Sequence, residues 1–224
     1  MLNAFLNKLY SSSHHINSSN YFYLLISLLS ILLLPVILRI IPFYPELLST
    51  IVFNGMLLVG LYICTTSRKD LLIGFLLGFL AWLMLWVDFA IKNNTLSNIL
   101  SHSALLIFYA YLAMHLFLSL KEYKKLSRNI IYAAICGFLI LGFMGAQFIQ
   151  IIYQLEPDSY TNLGESFYNP IYFSFVSLST LGYGDITPNT NAAKAISVFL
   201  AIIGQMYLTV IVGIMVGKFL RNNY

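Results

Sequence analysis

The chain has 224 residues, 59% of them hydrophobic and only 9% charged, with a mean hydropathy of +0.82. A soluble domain carries roughly a quarter of its residues as Asp, Glu, Lys and Arg, so this chain lacks the polar surface that water demands and reads as an integral membrane protein. Its net charge of +4 is then a matter of membrane topology and not of nucleic acid binding.

Residues 1–20 open the chain as an amphipathic segment and linker. Leu2, Phe5, Leu6 and Leu9 fall at helical spacing, and Ser11 to Asn20 is polar, which predicts a short interfacial helix on a flexible tether. No small-x-small site follows the first apolar run, so a cleavable leader is not expected. His14 and His15 sit in the Ser/Asn linker and read as solvated side chains.

An apolar stretch near 20 residues crosses a hydrocarbon core of about 30 Å as a helix. Six such stretches follow, at 21–41, 46–66, 70–91, 97–119, 129–153 and 193–218. Cys64 and Cys136 both fall inside them and read as buried small hydrophobes, not as a disulfide. Between the fifth and sixth stretches lies an acidic, turn-prone segment (Glu156-Pro157-Asp158, Gly164-Glu165), then the semi-apolar run Ser166 to Ser179, too short to span. A short apolar helix followed by a Gly-rich turn predicts a re-entrant loop, because irregular backbone survives at membrane depth only where protein or a water-filled path surrounds it. The predicted fold class is an all-α membrane protein: six transmembrane helices, with a re-entrant helix and loop between the fifth and sixth.

Orientation follows from the basic residues of short loops. With the N-terminus cytoplasmic, Lys8, Arg68, Lys69, Lys121, Lys124, Lys125, Arg128, Lys218 and Arg221 lie inside, and Arg39, Lys92 and Lys194 lie outside. Both chain ends are then cytoplasmic, the protein is a multi-pass resident of the cell (inner) membrane, and the re-entrant loop opens to the opposite face.

That loop carries the run Thr180-Leu181-Gly182-Tyr183-Gly184-Asp185. Pointing successive backbone carbonyls the same way forces alternating residues toward left-handed angles, which glycine adopts without a Cβ penalty; Gly182 and Gly184 sit at that alternation. Such a ring of carbonyls from several chains replaces the hydration shell of a potassium ion. Thr180 would add its hydroxyl as the innermost ring, Tyr183 would turn its ring outward to brace the wall, and Asp185 would stand at the mouth.

Ser179 to Pro188 resembles the T-x-G-Y-G-D selectivity filter of the potassium channel superfamily. The resemblance extends over about 129–218, and Ile203-Gly204-Gln205-Met206-Tyr207-Leu208 is similar to the inner helix of small six-span bacterial channels of that superfamily. It implies a pore domain at 129–218: an outer helix (129–153), a pore helix (166–179), a filter (180–185) and an inner helix (193–218). The implied ion sites for K+ lie at Thr180, Leu181, Gly182 and Tyr183, with Gly184 completing the filter. Tyr172, Phe173, Val176 and Ser179 become filter supports. Tyr172-Phe173 stands where many members carry two tryptophans, and Val176 where some carry an acid. Gly204, 20 residues past Gly184, falls where the family often places a gating hinge. A convergence of inner helices near Gly217 and Lys218 is a second candidate gate. A single filter motif per chain implies a tetramer of identical subunits in the lipid bilayer, with potassium as the permeant ion and no cofactor.

Residues 21–120 match voltage-gated members only in the number of spans. A voltage sensor stacks arginines because one charge crossing the field is worth about 2.3 kcal/mol per 100 mV; Leu96 to Leu120 contains no arginine or lysine. Its titratable groups include His102 near the outer end and His115 near the inner. Asp88 lies at the outer end of the third span, within reach of Arg39 or Lys92. Gly137, Gly142 and Gly145 in the fifth span, and Gly213 and Gly217 in the sixth, are expected to permit close helix approach. Beyond Lys218, residues 219–224 read as a short cytoplasmic tail without a ligand domain. No nucleophile–base constellation or metal-ligand cluster points to an enzyme. A weakly selective cation channel and a non-conducting membrane protein that keeps a pore fold remain the alternatives.

Overall fold

Long runs of Leu, Ile, Phe and Ala with few glycines leave the backbone no partners in oil but its own i→i−4 carbonyls, and helices follow. The structure, a computed structural model, describes residues 20–40, 51–52, 54–60, 68–91, 94–122 and 128–222. Helix α1 (Asn20–Leu32) continues into α2 (Leu34–Ile40). The break at Leu33 has a local cause: Pro35 offers no N–H and its ring crowds the preceding turn. The backbone instead closes on Leu33, whose carbonyl accepts from Val36 and Ile37 at 3.0 and 3.1 Å.

Residues 51–52 and 54–60 are helical; the rest of the stretch expected at 46–66 lies outside the described residues, as does the amphipathic segment before Asn20. Helix α3 runs over Arg68–Ala90, α4 over Thr95–Glu122, α5 over Arg128–Leu155 and α7 over Asn191–Asn222, with the short α6 at Tyr168–Leu178. Asn94 starts α4 by accepting the Leu96 N–H on its side-chain oxygen at 2.9 Å, the usual service of an N-cap. Among the described residues, four helices are long and apolar enough to cross a membrane: Lys69–Ala90, Thr95–Leu118, Arg128–Leu155 and Asn191–Leu220.

Helix α5 is the hub. It packs against α1, α4, α6 and α7, whereas α3 reaches the bundle through α4. One apolar core joins α1, α3, α4 and α5 around Leu24, Leu28, Phe108, Tyr109, Leu112 and Phe143. A second, smaller core surrounds the ends of α5, α6 and α7 through Ile149, Tyr160, Leu163, Phe173, Leu178 and Leu200. The all-α expectation misses one feature: two-residue strands β1 (Tyr160–Thr161) and β2 (Thr187–Pro188) pair antiparallel, Tyr160 with Pro188 and Thr161 with Thr187. This pairing clips the approach to α6 onto the chain that leaves the Gly-rich run.

Candidate ion-conducting site

Helix α6 begins two residues later than the sequence run suggests, because Ser166 is spent on capping: its carbonyl accepts from Asn169 at 3.1 Å and its hydroxyl from the Tyr168 N–H at 3.4 Å. The C-terminal end is tied more tightly. Ser179 N–H and hydroxyl both bond the Phe175 carbonyl, at 3.0 and 2.6 Å. The next two amides fold back as well, Thr180 to the Ser177 carbonyl and Leu181 to the Val176 carbonyl, each at 3.0 Å. The strip 180–185 therefore starts directly from the helix end, where the partial negative charge of the macrodipole gathers.

Along the strip, φ is positive at Thr180 (59°), Gly182 (60°) and Gly184 (79°) and at neither intervening residue. The two glycines take these angles freely. Thr180 does not, since a β-branched residue there is a true outlier, costing on the order of 1–3 kcal/mol. The hydrogen bonds on either side of it, and the packing of α6, hold it in place. The alternation read from Gly182 and Gly184 thus extends one step further than the glycines do. A Cβ built on Gly182 or Gly184 meets nothing within 4 Å; angle, not space, demands glycine there.

The expected supports fall around the strip in different ways. Tyr172 donates its hydroxyl to Asp185 Oδ2 at 2.7 Å and stacks on Tyr183 with centroids 6.4 Å apart and planes 9° apart. This bond holds the Asp185 carboxyl below its ordinary range and pushes the Tyr172 phenol up to about 12. Phe173 turns the other way, into the second core, and meets Tyr160 edge-on at 5.3 Å. Val176 serves through its carbonyl and a buried side chain. Leu181 and Tyr183 are exposed in the single chain.

Polar residues that sequence reasoning passed over complete the frame. Asn162 donates to the Asp185 carbonyl at 3.0 Å. Asn189 donates through its backbone to the Ser159 carbonyl at 2.8 Å and accepts from the Thr161 hydroxyl at 2.9 Å. Gln205 on α7 donates to Thr180 Oγ1 at 3.2 Å. Gln205 had a signal: it is a carboxamide inside an apolar span, next to Gly204.

The glycines divide into two groups. A Cβ on Gly204 would overlap the backbone carbonyl of Leu178 at the end of α6, so α7 lies directly against that helix end. Helix α7 runs unbroken through that position. Gly137, Gly142 and Gly145 likewise admit Tyr207, Phe175, and Ser174 with Leu200. The Tyr207 hydroxyl then reaches the Ala134 carbonyl at 2.6 Å, and the Ser174 hydroxyl the Gly142 carbonyl at 2.6 Å. At Gly213 and Gly217 no atom of the described residues comes within 4 Å of a Cβ.

In the first half, Asp88 accepts the Ser97 hydroxyl at 3.0 Å; the pairing expected with Lys92 lies outside the described residues. His102 and Gln147 share a hydrogen bond of 2.6 Å between α4 and α5, in which the Gln147 carbonyl oxygen accepts. His115 is buried edge-on against Tyr111 at 4.6 Å. Among the described residues no group of three or more His, Cys, Asp or Glu gathers as a metal site.

The part of the chain that builds this strip matches a known family. Residues 130–221, from the start of α5 to the end of α7, fit the pattern of an ion channel family. The voltage-gated inwardly rectifying potassium channel KCNH6 of Rattus norvegicus is 32% identical over 70 residues, 31% of this chain and 7% of the relative. Two-pore potassium channel 3 of Arabidopsis thaliana is 29% identical over 97 residues, 43% of this chain and 21% of the relative. This part of the chain is thus similar to potassium channels. A third relative, the hyperpolarization-activated voltage-gated potassium channel of Methanocaldococcus jannaschii, is 50% identical over 34 residues, 15% of this chain and 16% of that relative. The matches span about a fifth or less of these relatives' own lengths. No solved structure matches the chain.

Proposed function

We propose that four copies of this chain enclose a potassium-selective pore through which ions pass passively. The carrying observation is the alternation of positive φ at Thr180, Gly182 and Gly184. An alternating strip turns its carbonyls to one side, and four such strips facing one another supply stacked oxygen cages in place of water. Thr180, Leu181, Gly182 and Tyr183 contribute the cages, with Gly184 closing the strip. Asp185, held ionised by Tyr172, stands at the mouth and attracts cations. Tyr172, Phe173, Val176 and Ser179 brace the strip from α6.

The tetramer follows from one strip per chain and from closure of a ring. The surface of α7 supports it: Val198, Phe199, Ile202, Met206, Val210 and Val212 are all at least about half exposed in the single chain. The domain plan is that of the sequence: an amphipathic segment at 1–20, a four-helix part at 21–120, a pore domain at 129–218 with α6 re-entrant, and a tail at 219–224. In this plan the membrane is crossed six times and both ends are cytoplasmic in the cell (inner) membrane. With neither arginine nor lysine in Leu96 to Leu120, gating is not of the conventional voltage-sensing kind.

The test is flux. Purified protein in liposomes passes potassium, is blocked by barium, and shows a reversal potential that follows the potassium gradient. Replacement Gly182→Ala places a Cβ at φ 60° and abolishes the flux. Equal passage of sodium would replace this reading with a weakly selective cation channel. Wild-type protein that passes no ion would leave a non-conducting membrane protein.

A further inference from the structure

The innermost residue of the strip is held from two directions. Its backbone is pinned at a φ of 59° by the amide bond to Ser177 at 3.0 Å. Its side-chain oxygen accepts a hydrogen bond from Gln205 Nε2 at 3.2 Å. Gln205 reaches it because Gly204 brings α7 against the Leu178 carbonyl, closer than any side chain would allow. The carboxamide is exposed in the single chain, on the helix face that also carries Val198, Ile202, Thr209 and Val212. Nothing but the close packing of α7 on α6 brings these two polar groups together.

A threonine hydroxyl has one hydrogen and two lone pairs. With one lone pair engaged by the Gln205 amide, the other can face the pore axis only when the O–H points away from it. The amide therefore selects one orientation among those open to a rotor, and a preorganised ligand binds a dehydrating cation better than one that must first turn. We propose that Gln205 is a positioning residue for the innermost cation ring: its carboxamide orients the Thr180 hydroxyl and so sets that ring's affinity for a bare cation of potassium's size. The inference rests on the reading of 180–185 as the filter. It adds a residue from α7 to a site otherwise built from α6 and the strip.

Barium is the probe, since it combines potassium's size with a double charge and lodges where potassium is bound most tightly. Full-length protein is recorded in planar bilayers with barium applied from the side of the chain termini. Replacement Gln205→Met keeps the length and removes the donor; block weakens about tenfold while potassium current and selectivity over sodium remain. In a Thr180→Val background, which lacks the hydroxyl, Gln205→Met changes block by less than twofold, the non-additivity expected of a contacting pair. Gln205→Leu, which also lacks the donor, weakens block to the same extent, and this variant decides the matter if Gln205→Met does not assemble. Unchanged block in Gln205→Met and Gln205→Leu, or an equal loss in the valine background, overturns the inference and leaves the channel reading intact. A wild type without potassium current overturns both.

Discussion

Helices α5 and α7 are alike in length and overall apolarity, with apolar spans of 28 and 30 residues. Yet 56% of the most apolar part of α5 is buried within the chain and only 11% of that of α7. Hydropathy reports that a segment avoids water; it does not report whether lipid, the same chain or another copy covers it. Among the described residues helix α5 packs against helices α1, α4, α6 and α7, while α7 packs on α6, β2 and one side of α5 and leaves much of its surface exposed. The glycines express the same division. Those of α5 admit side chains of the same chain, Gly204 admits the end of α6, and Gly213 and Gly217 face open space.

The largest expected effect breaks the contact that α7 does make. Gly204→Ala pushes a methyl group into the Leu178 carbonyl, and because backbone cannot turn aside as a side chain does, the cost lies at or above the upper end of the 1–3 kcal/mol usual for overpacking. Thermal unfolding in detergent shows a large loss of stability, and flux disappears. The matched change Gly213→Ala meets no atom and is neutral or stabilising by up to about 1 kcal/mol, the glycine-to-alanine helix propensity. Equal behaviour of the two variants would remove the distinction between the halves of α7.

Next in size is a pair of substitutions that separates inner from outer covering. Ile140 on α5 is fully buried, and Met206 on α7 is 61% exposed. Ile140→Ser empties a packed site and costs about 2–5 kcal/mol of subunit stability, read as lost folded protein. Met206→Ser leaves the helical signal of the subunit intact and lowers the tetrameric fraction in cross-linking. A milder form of the α5 test is Gly142→Ala, which must displace the Phe175 ring; a movable ring brings the cost to about 1–2 kcal/mol.

The smallest effect concerns the mouth of the strip. Asp185 is held below its ordinary range chiefly by the Tyr172 hydroxyl. A carboxyl whose pKa is lowered by folding contributes its stability above the unfolded value and loses it as pH falls through the folded one. The Tyr172–Asp185 bond therefore persists through neutral and mildly acid solution and fails only below the ordinary carboxylate range near about 4. Tyr172→Phe removes the donor, so the acid limb of a flux-against-pH curve moves to higher pH while flux at pH 7 changes little.

Much of the site was legible in advance because its demands are local. A left-handed angle calls for glycine, and Gly182 and Gly184 answer it at the right spacing. Thr180 also takes such an angle but carried no letter to announce it, since the strain is imposed by two backbone bonds and the packing around α6. The break at Leu33 has its cause in Pro35, two positions on, although the stretch 21–41 reads as one unbroken span. The β1–β2 clip was not readable, because two-residue strands have no periodicity and Asn162 and Asn189 act across long sequence separations. The Ser97 hydroxyl on Asp88 was not readable either, because nothing in an apolar span marks which serine will face a carboxylate on the neighbouring helix.

By itself, then, the sequence determined that this chain has the apolar spans of a membrane protein, that residues 130–221 resemble an ion channel family, and that the strip 180–185 carries glycines at the alternation an ion path would require. These follow from composition, span length and local backbone angles, which depend on neighbours along the chain. Only the tertiary structure decided that Gly204 is where α7 touches the end of α6, that Gln205 reaches Thr180, that Tyr172 holds Asp185, and that α5 is far more buried within the chain than α7. Those are contacts between elements, and in an apolar helix every face looks alike until packing has chosen among them.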